Sequence, residues 1–208
     1  MYPTAFKNKD IKFVEVRIHF INRKMSLTPS NMLPLGTKAP DFILLDAVNS
    51  KFFSLLDLKG DKGTVIMFLS NHCPFVKHVN EELVRVANDY RVSGFGFIAI
   101  MSNDVEKYPQ DHPDLMLETA RKYHYPFPYL YDSTQQVAKA YDAACTPDFY
   151  LFDSELKLIY RGQLDNSRPG NGIPANGRDL REALDAVLKN GEVPEPQKPS
   201  IGCNIKWK

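Results

Sequence analysis

From residue 42 onward the apolar positions keep a regular order. Residues 42–46 and 51–54 read as a hairpin around Val48-Asn49, and residues 55–58 as a short helical turn closed by Gly60. Residues 65–69, Val-Ile-Met-Phe-Leu, make a short apolar run of the kind a sheet buries on both faces. The spacing then changes. Val76, Val79, Leu83, Val86 and Tyr90 recur three and four apart, which predicts a helix from 73 to about 90 with one core-facing stripe. Gly94 and Gly96 end the following turn before a second buried strand over 97–101. His112-Pro113 precedes a second helix to about residue 123; residues 129–131 read as a short strand and 135–141 as a third helix. Residues 149–152 and 158–161 pair around a Ser154-Glu155 turn. After a Gly- and Pro-rich loop, 166–177, a last helix carries the stripe Leu180, Ala183, Leu184, Val187, Leu188 and ends at Asn190-Gly191. Strands alternating with helices, then a hairpin and a final helix, predict an α/β fold with helices on both faces of a central mixed sheet.

The two ends stand apart from this pattern. Val14, Val16, Ile18 and Phe20 alternate like one exposed strand and run into the charged Asn22-Arg23-Lys24. Met25 then opens a segment with its own loop chemistry. Residues 1–24 are either an added edge strand or, the preferred reading, a loosely held extension, with the domain spanning 25–191. The tail, 192–208, is Pro-rich and then apolar at Ile201, Ile205 and Trp207, so it is expected to dock back on the domain.

Composition narrows the class. A chain of 208 residues can bury a full core, and 43% hydrophobic with 25% charged residues is ordinary for a globular protein. A net charge of +1 gives no ground for nucleic acid or an anionic membrane as partner. No apolar run approaches a bilayer span, and Lys12, Glu15 and Arg17 interrupt the N-terminal stretch where a signal peptide would need an apolar core. Cys73, Cys145 and Cys203 are too few and too scattered for a secreted disulfide framework. A reducing cytoplasm is the expected address.

Chemistry concentrates around Cys73. Ser70, Asn71 and His72 break the buried run, and Cys73-Pro74 opens the long helix; proline suits the first helical position, which puts Cys73 at the N-cap. A thiol there lies over free backbone N–H groups and the positive end of the helix dipole, both of which favour the nucleophilic thiolate. Lys77 and His72 are expected to add positive field. The alternative is a buried cysteine acting as a small hydrophobe, against which the polar neighbours speak for a site open to water. The histidines lack zinc-ligand spacing, a copper-chaperone reading would want a cysteine where Lys77 stands, and no cofactor or metal is expected. Asp104, Glu106, Asp111 and Asp114 read as a solvated loop, and Arg161 as either a surface ion pair or a group approaching the site.

With strand, Cys-Pro and helix in the middle and Thr146-Pro147 opening a late strand, the chain resembles the thioredoxin-fold superfamily, and within it the redoxin, or alkyl hydroperoxide reductase/thiol-specific antioxidant, branch of peroxiredoxin-like proteins. The motifs are LGTKAPDF (35–42), FLSNHCPFVKH (68–78), IAIMSND (98–104), ACTPDFYLFD (144–153), YRGQLD (160–165) and PSIGCNIKWK (199–208). The resemblance implies a thioredoxin-like fold with an added N-terminal β-hairpin, a redox-active Cys73 and a cis Pro147. The second cysteine of a thioredoxin-type dithiol is replaced by Val76, and its buried acid by Met67. Of the peroxiredoxin loop only a hydroxyl remains, at Ser70; Ile66 stands where the proline would be, and Thr146-Pro147 where an arginine is placed.

The resemblance therefore implies an oxidoreductase with Cys73 as nucleophile, for thiol–disulfide exchange or hydroperoxide reduction. Ser70 assists at the site, and Thr146 beside Pro147 offers backbone hydrogen bonds to the substrate's chain. Glutathione-dependent monothiol chemistry and a non-catalytic binding module remain as alternatives. Expected substrates are a protein disulfide, a hydroperoxide or glutathione, with a thioredoxin-type or glutathione electron donor. Because the proline loop faces the helix start in this fold, Cys145 is expected to be the redox partner of Cys73, ahead of Cys203 in the tail.

Overall fold

The computed structural model describes residues 27–208, so the extension over 1–24 and its alternating strand lie outside the described residues. In chain order come β1 (Leu27–Pro29), β2 (Ile43–Asp46), β3 (Phe52–Ser54), α1 (Leu55–Leu58), β4 (Gly63–Phe68), α2 (Pro74–Arg91) and β5 (Phe95–Met101). A 3-10 turn (Pro109–Asp111) then precedes α3 (Pro113–Tyr123), β6 (Tyr129–Tyr131), α4 (Gln136–Ala140), β7 (Cys145–Thr146), β8 (Asp148–Asp153), β9 (Leu158–Gly162), α5 (Arg178–Leu188) and β10 (Ile201–Asn204). Seven strands form one mixed sheet in the order β3-β2-β6-β5-β4-β8-β9. β4 lies near its middle, parallel to β5 and antiparallel to β8.

Every residue of β4 is buried. Successive side chains of a strand point to opposite faces, so its apolar run supplies two cores at once. Val65 and Met67 join Phe97, Ala99, Phe149 and Leu151 on the face covered by α2 and by Leu180, Ala183 and Leu184 of α5. Ile66 and Phe68 join Ile98, Ile100, Tyr150 and Phe152 on the other, beneath Ala138 of α4 and Tyr141. The stripe Val76, Val79, Leu83, Val86, Tyr90 is the buried side of α2, and Glu82 on that helix holds Arg181 of α5 at 2.9 Å. These helices fix the start of α2 against the end of β4.

The tail is more than an appendage laid on the surface. β10 is the central strand of a second, three-stranded antiparallel sheet, β1-β10-β7, with Leu27 opposite Cys203 on one side and Cys203 opposite Thr146 on the other. Beyond the strand, Lys206 N–H donates to Asn103 Oδ1 (2.8 Å), Asp104 N–H donates to the Lys206 carbonyl (2.8 Å), and Lys208 N–H donates to Gln135 Oε1 (2.9 Å). The apolar anchor is Ile205, 1% exposed; Trp207 stays 40% exposed beside Lys139. Gly202 is required by a close approach: a Cβ there would lie 1.9 Å from the Thr146 carbonyl oxygen. Gly202→Ala is therefore expected to weaken β10 docking by about 3 kcal/mol, the upper end of overpacking costs. Hydrogen exchange of the amides at 201–205 reads this directly, and unchanged protection there would contradict it.

A buried cysteine at a helix start as the candidate active site

β4 delivers the chain to Leu69, whose N–H still pairs with the Ile100 carbonyl at 2.9 Å. The polar residues that follow are organised by one carboxylate. Asp111, 0% exposed, accepts from Ser70 Oγ (3.1 Å to each oxygen), from the Asn71 and His72 N–H groups (2.7 and 3.3 Å), from His72 Nδ1 (2.8 Å) and from Asn103 Nδ2 (2.6 Å). Burial raises its pKa, but the bonds from His72, Asn103 and Asn71 outweigh that and leave it below the usual carboxylate value. The solvated-loop expectation for this stretch is thereby corrected: Asp111 is an interior acceptor and Asp104 is buried as well, whereas Glu106 and Asp114 are exposed. Ser70 passes the order on, its Oγ accepting the Cys73 N–H at 3.3 Å. His72 stacks on Tyr108 with ring centroids 5.8 Å apart.

Cys73 occupies the N-cap of α2, with Pro74 in the first turn. Its side chain is 0% exposed, so the polar neighbours mark a carboxylate-bound loop and not an open mouth. Sγ lies 3.1 Å from the Thr146 carbonyl oxygen, an acceptor for the thiol proton. The thiolate has other partners. The Cys203 thiol contributes most; burial opposes; the Thr146 hydroxyl and the N–H groups of Val76 and Cys203 add further donors, and together they bring Cys73 down to about 6. The helix start thus acts through the Val76 N–H, while the fields expected from Lys77 and His72 are not among the causes: Lys77 is exposed and the His72 ring is held by Asp111.

Thr146 and Pro147 flank the sulfur as the resemblance implied, and the bond between them is cis. The backbone edge expected to await a substrate strand is occupied, however: β10 pairs there, with Cys203 at the register of Thr146 and Asn204 at that of Cys145. Alternation along the ladder turns Cys203 and Cys145 to opposite faces. The thiol that shares a buried cluster with Cys73 is Cys203, whereas Cys145, the expected redox partner, lies on the other face of the ladder. Cys145 Sγ points to the Pro147 carbonyl at 3.6 Å, and burial with the nearby Asp148 charge pushes its pKa up. Arg161 is engaged elsewhere, donating to Gln197 Oε1 at 2.8 Å and lying 3.8 Å from Glu195. Sequence reasoning missed Asp111 and placed Cys203 second to Cys145. The period-two pattern Ile201, Cys203, Ile205 was the signal for Cys203.

These causes make a titration prediction. The thiolate absorbance lost in Cys73→Ser should show a midpoint near 6, and in Cys203→Ala the Cys73 midpoint should rise toward the ordinary 9.0. The folded-state value is depressed, so the linked stability is fully present above the unfolded pKa and is lost as pH falls through about 6. A midpoint unmoved by Cys203→Ala would contradict the assignment.

A model of the AhpC/TSA family matches residues 35–161. An uncharacterized conserved protein from Geobacillus kaustophilus is 61% identical, with a TM-score of 0.87 over 88% of this chain and 97% of that one. A hypothetical protein from Sinorhizobium meliloti is 49% identical, with a TM-score of 0.85 over 87% and 98%. The thiol-disulfide oxidoreductase ResA of Bacillus subtilis is 31% identical over 124 residues, 60% of this chain and 64% of that protein, so the match spans less than two thirds of this relative's length. A secreted Mycobacterium tuberculosis disulfide oxidoreductase, 18% identical with a TM-score of 0.54 over 70% of this chain and 95% of that one, shares the fold alone. The architecture is thioredoxin-like, and the chain belongs to the AhpC/TSA family.

Proposed function

We propose that this protein is a thiol–disulfide oxidoreductase with Cys73 as its nucleophile and a protein disulfide as its substrate. The observation that carries the reading is a thiol at the N-cap of α2 with its sulfur 3.1 Å from the Thr146 carbonyl beside the cis Pro147, and the donors around that sulfur lower its pKa to about 6. At neutral pH such a sulfur is largely thiolate, and a thiolate attacks a disulfide in line, displacing one substrate sulfur. The name of the Bacillus subtilis relative agrees with this chemistry.

Hydroperoxide reduction is the weaker reading. The hydroxyl that a peroxide site would use, Ser70, donates to Asp111 and accepts from Cys73 N–H, so it is already committed. The test offers the reduced protein, separately, a disulfide-bonded peptide, hydrogen peroxide and oxidised glutathione. Mixed-disulfide formation at Cys73 should be fastest with the peptide. Turnover with the peroxide alone, or glutathione strongly preferred over the peptide, would replace the reading. Residence in a reducing compartment, expected from the cysteine usage, belongs to the same proposal, and cell fractionation tests it.

A further inference from the structure

We propose that Cys203, on the C-terminal strand β10, is the resolving thiol for Cys73, so that one catalytic cycle leaves a Cys73–Cys203 disulfide within the chain. This rests on Cys73 being the nucleophile. Three placements carry it. Thr146, whose carbonyl lies 3.1 Å from Cys73 Sγ, is the residue directly opposite Cys203 in the β7–β10 ladder. Cys73 and Cys203 share one buried cluster on the α2 face of the sheet. And β10 is held from both sides, by β1 and β7, with Gly202 pressed against the Thr146 backbone, so the position of Cys203 is built and not incidental.

The strand also lies where the partner of a reactive cysteine has to lie. It runs antiparallel along Thr146, the edge otherwise open to an incoming chain. Cys73 is fully covered, so a substrate reaches it only when a neighbouring segment moves; β10, paired along the Thr146 edge, is placed to be that segment and on its return to deliver a second thiol to the same sulfur.

The chemistry balances. The Cys73 thiolate attacks one sulfur of the substrate disulfide; that S–S bond breaks, a mixed disulfide forms on Cys73, and the first substrate sulfur leaves as a thiolate. Cys203 yields its proton to the departing thiolate and attacks Cys73 Sγ. The mixed disulfide breaks, the Cys73–Cys203 bond forms, and the second substrate sulfur leaves and takes up the proton that Cys73 had released. Two electrons and two protons pass from the two protein thiols to the substrate disulfide. The order is also set by charge. While Cys73 is a thiolate, the Cys203 thiol donates to it, and with burial and the Cys73 charge this holds Cys203 far above its ordinary pKa. Once the Cys73 sulfur is tied up in a neutral mixed disulfide, that hold is released. Cys145 does not meet these conditions, because it faces Asn204 and its sulfur points to the Pro147 carbonyl.

The experiment treats the reduced full chain with one equivalent of the aromatic disulfide dithionitrobenzoate, counts released nitrothiolate and maps the cysteines. Wild type should release both halves of the reagent, retain no adduct and show a Cys73–Cys203 peptide; Cys145→Ser should do the same. Cys203→Ser should release one half and keep the other on Cys73. An adduct that persists on Cys73 while Cys203 stays a free thiol overturns the resolving role alone, as does a Cys73–Cys145 bridge. A Cys73 that never reacts overturns both this inference and the proposed function. The wild-type map decides the matter even if Cys203→Ser does not fold.

Discussion

Cys73→Ser is expected to lose disulfide exchange altogether, its rate falling to that of the uncatalysed reaction, while the fold is kept. The two halves of this expectation have separate causes. An oxygen cannot form the S–S bond of the mixed disulfide, and a serine hydroxyl is not ionised at neutral pH, so no residual covalent route remains. The backbone position, in contrast, suits serine. Cys73 makes no side-chain capping bond at the start of α2, and serine is among the strongest N-cap residues, so the variant keeps the helix start or gains a few tenths of a kcal/mol there. Exchange against a disulfide-bonded peptide, measured beside a urea melt, separates these effects. Activity surviving at even a tenth of wild type would show that another thiol is the nucleophile.

The parts of this site that were legible in the sequence are those set by near neighbours. Cys-Pro after a buried run placed the N-cap, since proline tolerates only the first turn of a helix. The three-and-four spacing from Val76 to Tyr90 gave the core face of α2 in the same local way. Asp111 and Cys203 were not legible because their roles are non-local. Asp111 reaches Ser70, Asn71 and His72 across a separation of about 40 residues, and nothing in its own surroundings distinguishes it from the exposed Asp114. Polar residues before Cys73 suggest water when read in sequence, whereas in the fold they are the donors of a buried acceptor. For the same reason burial does not decide between the two readings of Cys73: the residue is as buried as a small hydrophobe, yet the donors around it lower its pKa. The choice between Cys145 and Cys203 turned on strand parity. One residue along β7 exchanges the two faces of the ladder, and without β10 as a partner that parity has no reference.

Asp111→Ala is expected to destabilise the protein by about 3–5 kcal/mol, the range for leaving one side of a buried charged network without its partner. The carboxylate collects hydrogen bonds from Ser70, Asn71, His72 and Asn103, and its replacement by a methyl group strands the buried donors of Ser70 and Asn103 and releases those of the half-buried Asn71 and His72. The same loss should loosen the start of α2, because Ser70 holds the Cys73 N–H only while Asp111 orients its hydroxyl. The acid limb gives a second check, and its sign follows from the direction of the shift. The Asp111 pKa is depressed in the folded state, so its contribution is present above the unfolded carboxyl value, about 3.9, and is lost as pH falls through the lower folded value. The stability gap between wild type and Asp111→Ala should therefore be widest at neutral pH and narrow below about pH 4. Urea melts at neutral and acidic pH measure both quantities. A neutral-pH gap under about 1 kcal/mol, the worth of one ordinary hydrogen bond, would mean that the loop before Cys73 is held by something other than this carboxylate.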